Sequence, residues 1–128
     1  DDLPKPHLVF LDPPYWKQAE GQYSDAETDF GNMDLETFNE EMNALLKRLK
    51  RRRAERIAIV IQPTQYANGF EYVDHVFDLY PTLSGVYDIE MRYILPYETE
   101  QYNGTQVEKA KEVEKPLVLH RDLIVFSR

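Results

Sequence analysis

Asp12-Pro13-Pro14-Tyr15-Trp16 places a carboxylate, two residues without a backbone N–H and two aromatic rings in five consecutive positions. Neither proline can donate to a ladder or a helix, and Pro13 pushes Asp12 toward an extended conformation. The stretch therefore makes a stiff bend that holds a hydrogen-bond acceptor beside aromatic faces. It follows the apolar run "HLVFL" (7–11), which reads as a short buried strand.

The remaining elements decide what lies near this bend. Residues 17–33 are polar with two glycines and read as a long loop. "MDLETFNEEMNALLKRLKRRR" is a helix with Asp34 as N-cap, acids early and bases late. Its Leu35, Phe38, Met42, Leu45, Leu46 and Leu49 share one face. "RIAIVIQ" (56–62) is a second buried strand, and 70–80 is a shorter helix ended by Pro81. Residues 86–96 and 117–127 are the third and fourth strands. Alternation of this kind gives a parallel α/β sheet. Right-handed crossovers moving one way put both helices on one face. The last strand, reached without a long helix, is expected to run antiparallel.

"IAIVI" and "LIVF" are apolar at consecutive positions, as in strands covered on both faces. With helices on one face only, something outside these residues is expected to cover the other. "HLVFL" is expected at an unprotected edge.

Ligands of open parallel sheets bind beyond the carboxyl ends of the strands. The segments that meet there carry Tyr15, Trp16, Tyr23, Phe30, Tyr66, Tyr97 and Tyr102, with Asp12, Gln62, Gln65, Asn68 and Gln101. Aromatics and amides together suit stacking on and hydrogen-bonding a planar base. Tyrosines also line ordinary loop–core boundaries, so both readings stand. In 97–116, Thr105 and Glu108 fit a capping box for a short helix. Tyr97, Gln101 and Tyr102 are candidates to place a nucleic-acid strand, and Lys109 or Lys111 to reach phosphate; a plain surface connector is the alternative.

A chain of 128 residues fits one domain, 1–128, with a real core. Its net charge of −8 argues against a generic nucleic-acid coating protein. The bases are concentrated, however: "KRLKRRRAER" (47–56) lies at the opposite edge from Asp12, as a solvated helix end or a phosphate contact. There is no cysteine, so neither a disulfide framework nor a cysteine-based zinc site. His7, His75 and His120 show no metal-ligand spacing. The longest apolar stretch is too short to span a membrane, and the cytoplasm is the default location. The Asp-Asp start leads to the expectation of a processed or excised piece.

"FLDPPYW" at the end of a strand resembles the Asp/Asn/Ser-Pro-Pro-aromatic motif of the S-adenosylmethionine-dependent amino-group methyltransferases, which act on adenine N6, cytosine N4 or guanine N2. "RDLIVFSR" resembles the last antiparallel strand of the same fold. The resemblance implies half of a Rossmann-like methyltransferase sheet: mostly parallel, with a final antiparallel strand and helices on one face. By resemblance, Asp12 and the Pro13 carbonyl accept the two N–H groups of an exocyclic amine. Pro13 and Pro14 fix the bend so that orientation is set in advance. Tyr15 stacks on the flipped base, and Trp16 extends that wall. Asp at the first motif position leans toward adenine N6. Methylation at cytosine C5, which usually needs a cysteine nucleophile, is disfavoured.

The family's aromatic-x-Gly-x-Gly cofactor loop and its ribose-binding acid are not recognisable. The expectation is therefore a catalytic half that neither binds S-adenosylmethionine tightly nor turns over alone. The missing cofactor-binding half is expected upstream, which the start favours, with a downstream position in a permuted order, a partner chain or a homo-oligomer as the alternatives. The expected substrate is DNA in a site-specific adenine-N6 reaction, with or without a companion restriction enzyme. Alternatives are an RNA guanine-N2 methyltransferase and a non-catalytic nucleic-acid-binding subunit lacking the cofactor half.

Overall fold

The computed structural model describes residues 4–13, 34–65, 72–97 and 102–128. In chain order they form β1 (Leu8–Leu11), α1 (Leu35–Arg51), β2 (Arg56–Ile61), α2 (His75–Leu83), β3 (Asp88–Pro96), α3 (Gly104–Glu112) and β4 (His120–Ser127). The four strands make one sheet in the order β1-β2-β4-β3. β1 is parallel to β2, and β4 is antiparallel to both β2 and β3. β1, β2 and β3 therefore point the same way, with the last strand inserted among them. Sequence reasoning gives the direction of β4; its place between β2 and β3 comes only from the structure.

α1 forms where the sequence marks it. The Asp34 side chain accepts from the Thr37 N–H at 2.8 Å, and Arg48, Lys50 and Arg51 occupy the last turn. Phe38, Met42 and Leu46, spaced by four, are fully buried on one stripe. The helix closes in a Schellman turn: Ala54 N–H donates to Leu49 O and Arg53 N–H to Lys50 O. Arg53 takes the left-handed conformation there, with φ 59°, at a position where glycine is preferred.

Two elements differ from expectation. α2 begins at His75, capped by Asp74, and continues through Pro81 to Leu83. Pro81 forfeits one hydrogen bond near the helix end, while Val76, Leu79 and Leu83 are buried and hold the turn in place. α3 does carry a capping box, but it is formed by Asn103 and Gln106, two residues before the expected Thr105 and Glu108. Gln106 N–H donates to Asn103 Oδ1 at 2.9 Å, and Asn103 N–H to Gln106 Oε1 at 3.0 Å. Glu108 pairs instead with Lys111, and Lys109 with Glu112.

The core lies on one side of the sheet. Ile57, Ile59 and Ile61 of β2 and Ile124 and Phe126 of β4 meet Phe38, Met42 and Leu46 of α1 and Val76, Leu79 and Leu83 of α2, with Val9 and Leu11 packed against them. Below this core, the Tyr87 hydroxyl donates to Ala54 O at 2.5 Å, tying the start of β3 to the α1–β2 turn.

The opposite face is different. Phe10, Ala58, Val125 and Met91 lie in one row across the four strands. Phe10 is 59% exposed and Met91 49%, and Leu8 and Tyr93 are also exposed there. Among the described residues no helix covers this face.

Met42 is fully enclosed on the stripe of α1 that meets the sheet. Met42→Ala is expected to lower stability by about 2–5 kcal/mol, measured by denaturant unfolding.

Candidate active edge

The carboxyl ends of β1, β2 and β3 lie along one edge of the sheet. Asp12 and Pro13 follow β1 directly, and Asp12 is exposed. Residues 62–65 follow β2, and Tyr97 follows β3. β4 starts at the same edge, since Asp122 pairs with both Ile61 of β2 and Ile94 of β3. Pro14, Tyr15, Trp16 and Gln101 lie outside the described residues, as do Tyr23, Phe30, Tyr66 and Asn68.

The connector from α3 to β4 is fastened here at three points. Gln65, 4% exposed, donates from Nε2 to Pro116 O and accepts the Val118 N–H at 2.6 Å. Its amide thus completes a ladder-like pair with backbone 53 residues away. The Tyr102 hydroxyl donates to Val118 O at 2.7 Å, and the Tyr97 N–H donates to Leu119 O at 3.1 Å. Tyr102 is buried, and burial pushes its phenol pKa up. Its ring and hydroxyl therefore support the connector. Tyr97 is half-buried at the mouth of the same region.

A second group of side chains lies beside the connector. Asp122 is fully buried within β4 and accepts two hydrogen bonds from Arg92, each 3.1 Å. This bidentate pairing raises the guanidinium pKa further, against some desolvation. Asp74 lies 3.8 Å from the same guanidinium, and His120 lies 3.8 Å from Asp122. Tyr72 donates to Asp74 at 3.3 Å; burial first, and the Asp74 charge second, push the Tyr72 phenol pKa up. Without Arg92, the Asp122 carboxylate would be a costly buried charge.

Thr64 and His75 make a third, neutral group. Thr64 exchanges backbone hydrogen bonds with Val73, and its Oγ1 lies 2.8 Å from His75 Nε2. The imidazole is buried against the Phe38 ring, with centroids 5.1 Å apart. Burial pushes its pKa down to about 4, with Asp78 and Asp74 opposing.

Sequence reasoning names Gln65, Tyr97 and Tyr102 but does not see the fastening of the connector. It passes over Asp122 and Arg92 altogether. A signal for Asp122 exists: it is a lone acid at the inward phase of an otherwise apolar alternating strand.

The glycines among the described residues, Gly85 and Gly104, stand after α2 and at the start of α3, away from the ends of β1 and β2.

The strand order, the single antiparallel strand and the packing of α1 and α2 on one face match a partial Rossmann-like methyltransferase fold. The fold is shared with two solved structures of a protein from Thermus thermophilus, whose name describes it, provisionally, as a DNA modification methylase. One was determined in complex with S-adenosyl-L-methionine; it superposes with a TM-score of 0.63 at 16% identity, over 99% of this chain and 50% of that one. The other gives a TM-score of 0.57 at 17% identity, over 99% and 48%. The chain thus spans about half the length of the structures it matches. No family model matches the sequence, and no curated protein does.

Two outcomes follow from the geometry. The His75 pKa is near 6.5 when unfolded and about 4 when folded. The unfolded chain therefore binds more protons between those values. Stability is expected to be at its full value above pH ~6.5 and to fall by about 3 kcal/mol as the pH drops toward ~4. His75→Gln should flatten this part of a stability–pH curve; an unaltered slope would assign it to other groups. Gln65→Ala should speed amide exchange of Val118 and its neighbours by about tenfold or more, measured by hydrogen exchange, while the α1–β2 core stays protected.

Proposed function

We propose that the chain is the catalytic half of an S-adenosylmethionine-dependent DNA methyltransferase acting on the exocyclic amine of adenine. The observation that supports this most is the position of Asp12-Pro13. The motif leaves the carboxyl end of β1 in a sheet of methyltransferase order, at the edge where ligands of such sheets bind. The Thermus relative of this fold, with its bound cofactor and its name, adds support for the cofactor and for DNA.

An exocyclic amine is a poor nucleophile because its lone pair is delocalised into the ring. The Asp12 carboxylate and the Pro13 carbonyl, both acceptors, take its two N–H groups and favour a tetrahedral nitrogen with its lone pair free. Pro13 and Pro14 hold the bend, so little orientation remains to be found on binding. Tyr15 stacks on the base flipped from the duplex, with Trp16 extending the wall. Tyr97 and Gln101 contact the target strand, and Tyr102 acts through the connector it supports. The bound cofactor would supply an electrophilic methyl group.

The cofactor site belongs to a second half, which also covers the open face at Leu8, Phe10, Met91 and Tyr93. Burying a face of this kind is worth about 25 cal/mol per Å², so the two halves would form one core. A non-catalytic nucleic-acid-binding subunit is the second reading, favoured by the match to only about half of each solved structure.

Transfer of labelled methyl from S-adenosylmethionine to DNA by the full-length protein tests the main reading. Asp12→Ala should lower kcat about a hundredfold or more while leaving cofactor affinity intact. Labelling of ribosomal RNA instead of DNA would move the assignment to guanine N2. Absence of transfer to either, with nucleic acid still bound, would leave the subunit reading.

A further inference from the structure

α1 ends in a dense basic turn at the edge opposite Asp12. The run Lys47–Arg56 holds seven of the fifteen Lys and Arg residues of the chain, leaving eight against twenty-two acids elsewhere. Two of the seven are engaged: Arg56 pairs with Glu90 at 2.8 Å, and Lys50 donates to Thr82 O at 3.5 Å. Lys47, Arg48, Arg51, Arg52 and Arg53 are all exposed. None of these five makes an ion pair among the described residues. The nearest acid in sequence, Glu55, is taken by Lys5 and His7.

Helix-end electrostatics do not account for five such charges. The partial negative charge of a helix C-terminus is satisfied within the last turn, and its benefit is screened by salt. Arg52 and Arg53 lie beyond the helix. Each further cation adds repulsion among neighbours. In a protein of net charge −8, a cluster of this density is a localised positive surface.

We propose that this turn is a second nucleic-acid contact, gripping the phosphate backbone of a segment distinct from the one that presents a base to Asp12. The seven residues 47–53 span about 9–10 Å, the reach of two to three phosphates along one strand. α1 itself is about 25 Å long and runs between the two edges, which separates this contact from the Asp12 edge. A membrane surface fits less well. The apolar residues of the run, Leu49 and Ala54, are packed into the core and leave nothing to insert between lipids. The phosphate contact itself is sequence-independent and rests on charge; that it is a second contact rests on the methyl-transfer reading.

The test uses the full-length protein and a labelled duplex of about 30 base pairs, with affinity measured by anisotropy from about 50 to 200 mM salt. The combined variant R48Q/R51Q/R52Q/R53Q should bind about tenfold or more weakly at the low-salt end. Its slope of log affinity against log salt should be shallower by about 2–3. Arg53→Gly relieves the left-handed backbone and so should raise Tm while weakening duplex binding, a combination that misfolding would not produce. Wild-type affinity and slope in the combined variant would overturn the proposal. So would charge-dependent binding to phosphatidylserine vesicles with no charge-dependent binding to duplex. Absence of methyl transfer by the unmutated protein, with salt-dependent duplex binding retained, would count against the active edge and not against this surface.

Discussion

The pairing of β4 with both β2 and β3 is the constraint on which the rest depends. It sets Ile61 and Ile94 level with Asp122, so that two parallel strands end beside the start of an antiparallel one. The return segment must therefore cross the carboxyl edge before it enters the sheet. Gln65, Tyr97 and Tyr102 all act on that crossing. A backbone arriving at an edge has unpaired polar groups, and each has to find a partner before it can be buried. The buried amide of Gln65 meets one donor and one acceptor at once, which is why a polar side chain at 4% exposure is tolerated there.

The same edge carries a graded charge arrangement. Asp12 is exposed, whereas Asp122 is enclosed and neutralised by Arg92, with Asp74 close to the same guanidinium. Two carboxylates on one sheet edge thus have different surroundings. One lies exposed at the end of β1. The other is committed to a bidentate ion pair that fixes the strand start. His75, held neutral beneath them against Phe38 and Thr64, adds no charge at ordinary pH.

Local signals in the sequence carry much of this architecture. The cap at Asp34 and the stripe Phe38–Met42–Leu46 place α1, and the apolar runs place β1 and β2, because the physics there involves neighbours within a turn or a strand. Pairing is a different matter. That β4 lies between β2 and β3, and that Gln65 reaches Val118, depends on contacts between residues far apart in sequence, which periodicity does not report. Pro81 shows the limit of a local rule: one lost hydrogen bond is outweighed by the burial of Leu79 and Leu83. The capping box of α3 shows another, since two overlapping patterns were available and backbone geometry selected Asn103 over Thr105. The Asp-Pro-Pro motif, in contrast, is local in sequence, and the position of Asp12 and Pro13 directly after β1 is readable from it.

The two margins of the sheet are not equivalent. β3 is long, but it carries a bulge between Ile89 and Met91, charges at Asp88, Glu90 and Arg92, and Pro96 at its end, all of which discourage another strand from docking alongside. β1 has only four residues and presents Leu8 and Phe10 without a charge among them. The β3 margin therefore carries several features that discourage pairing, whereas the β1 margin carries its shortness alone. A strand added alongside the sheet would meet fewer of these obstacles past β1 than past β3.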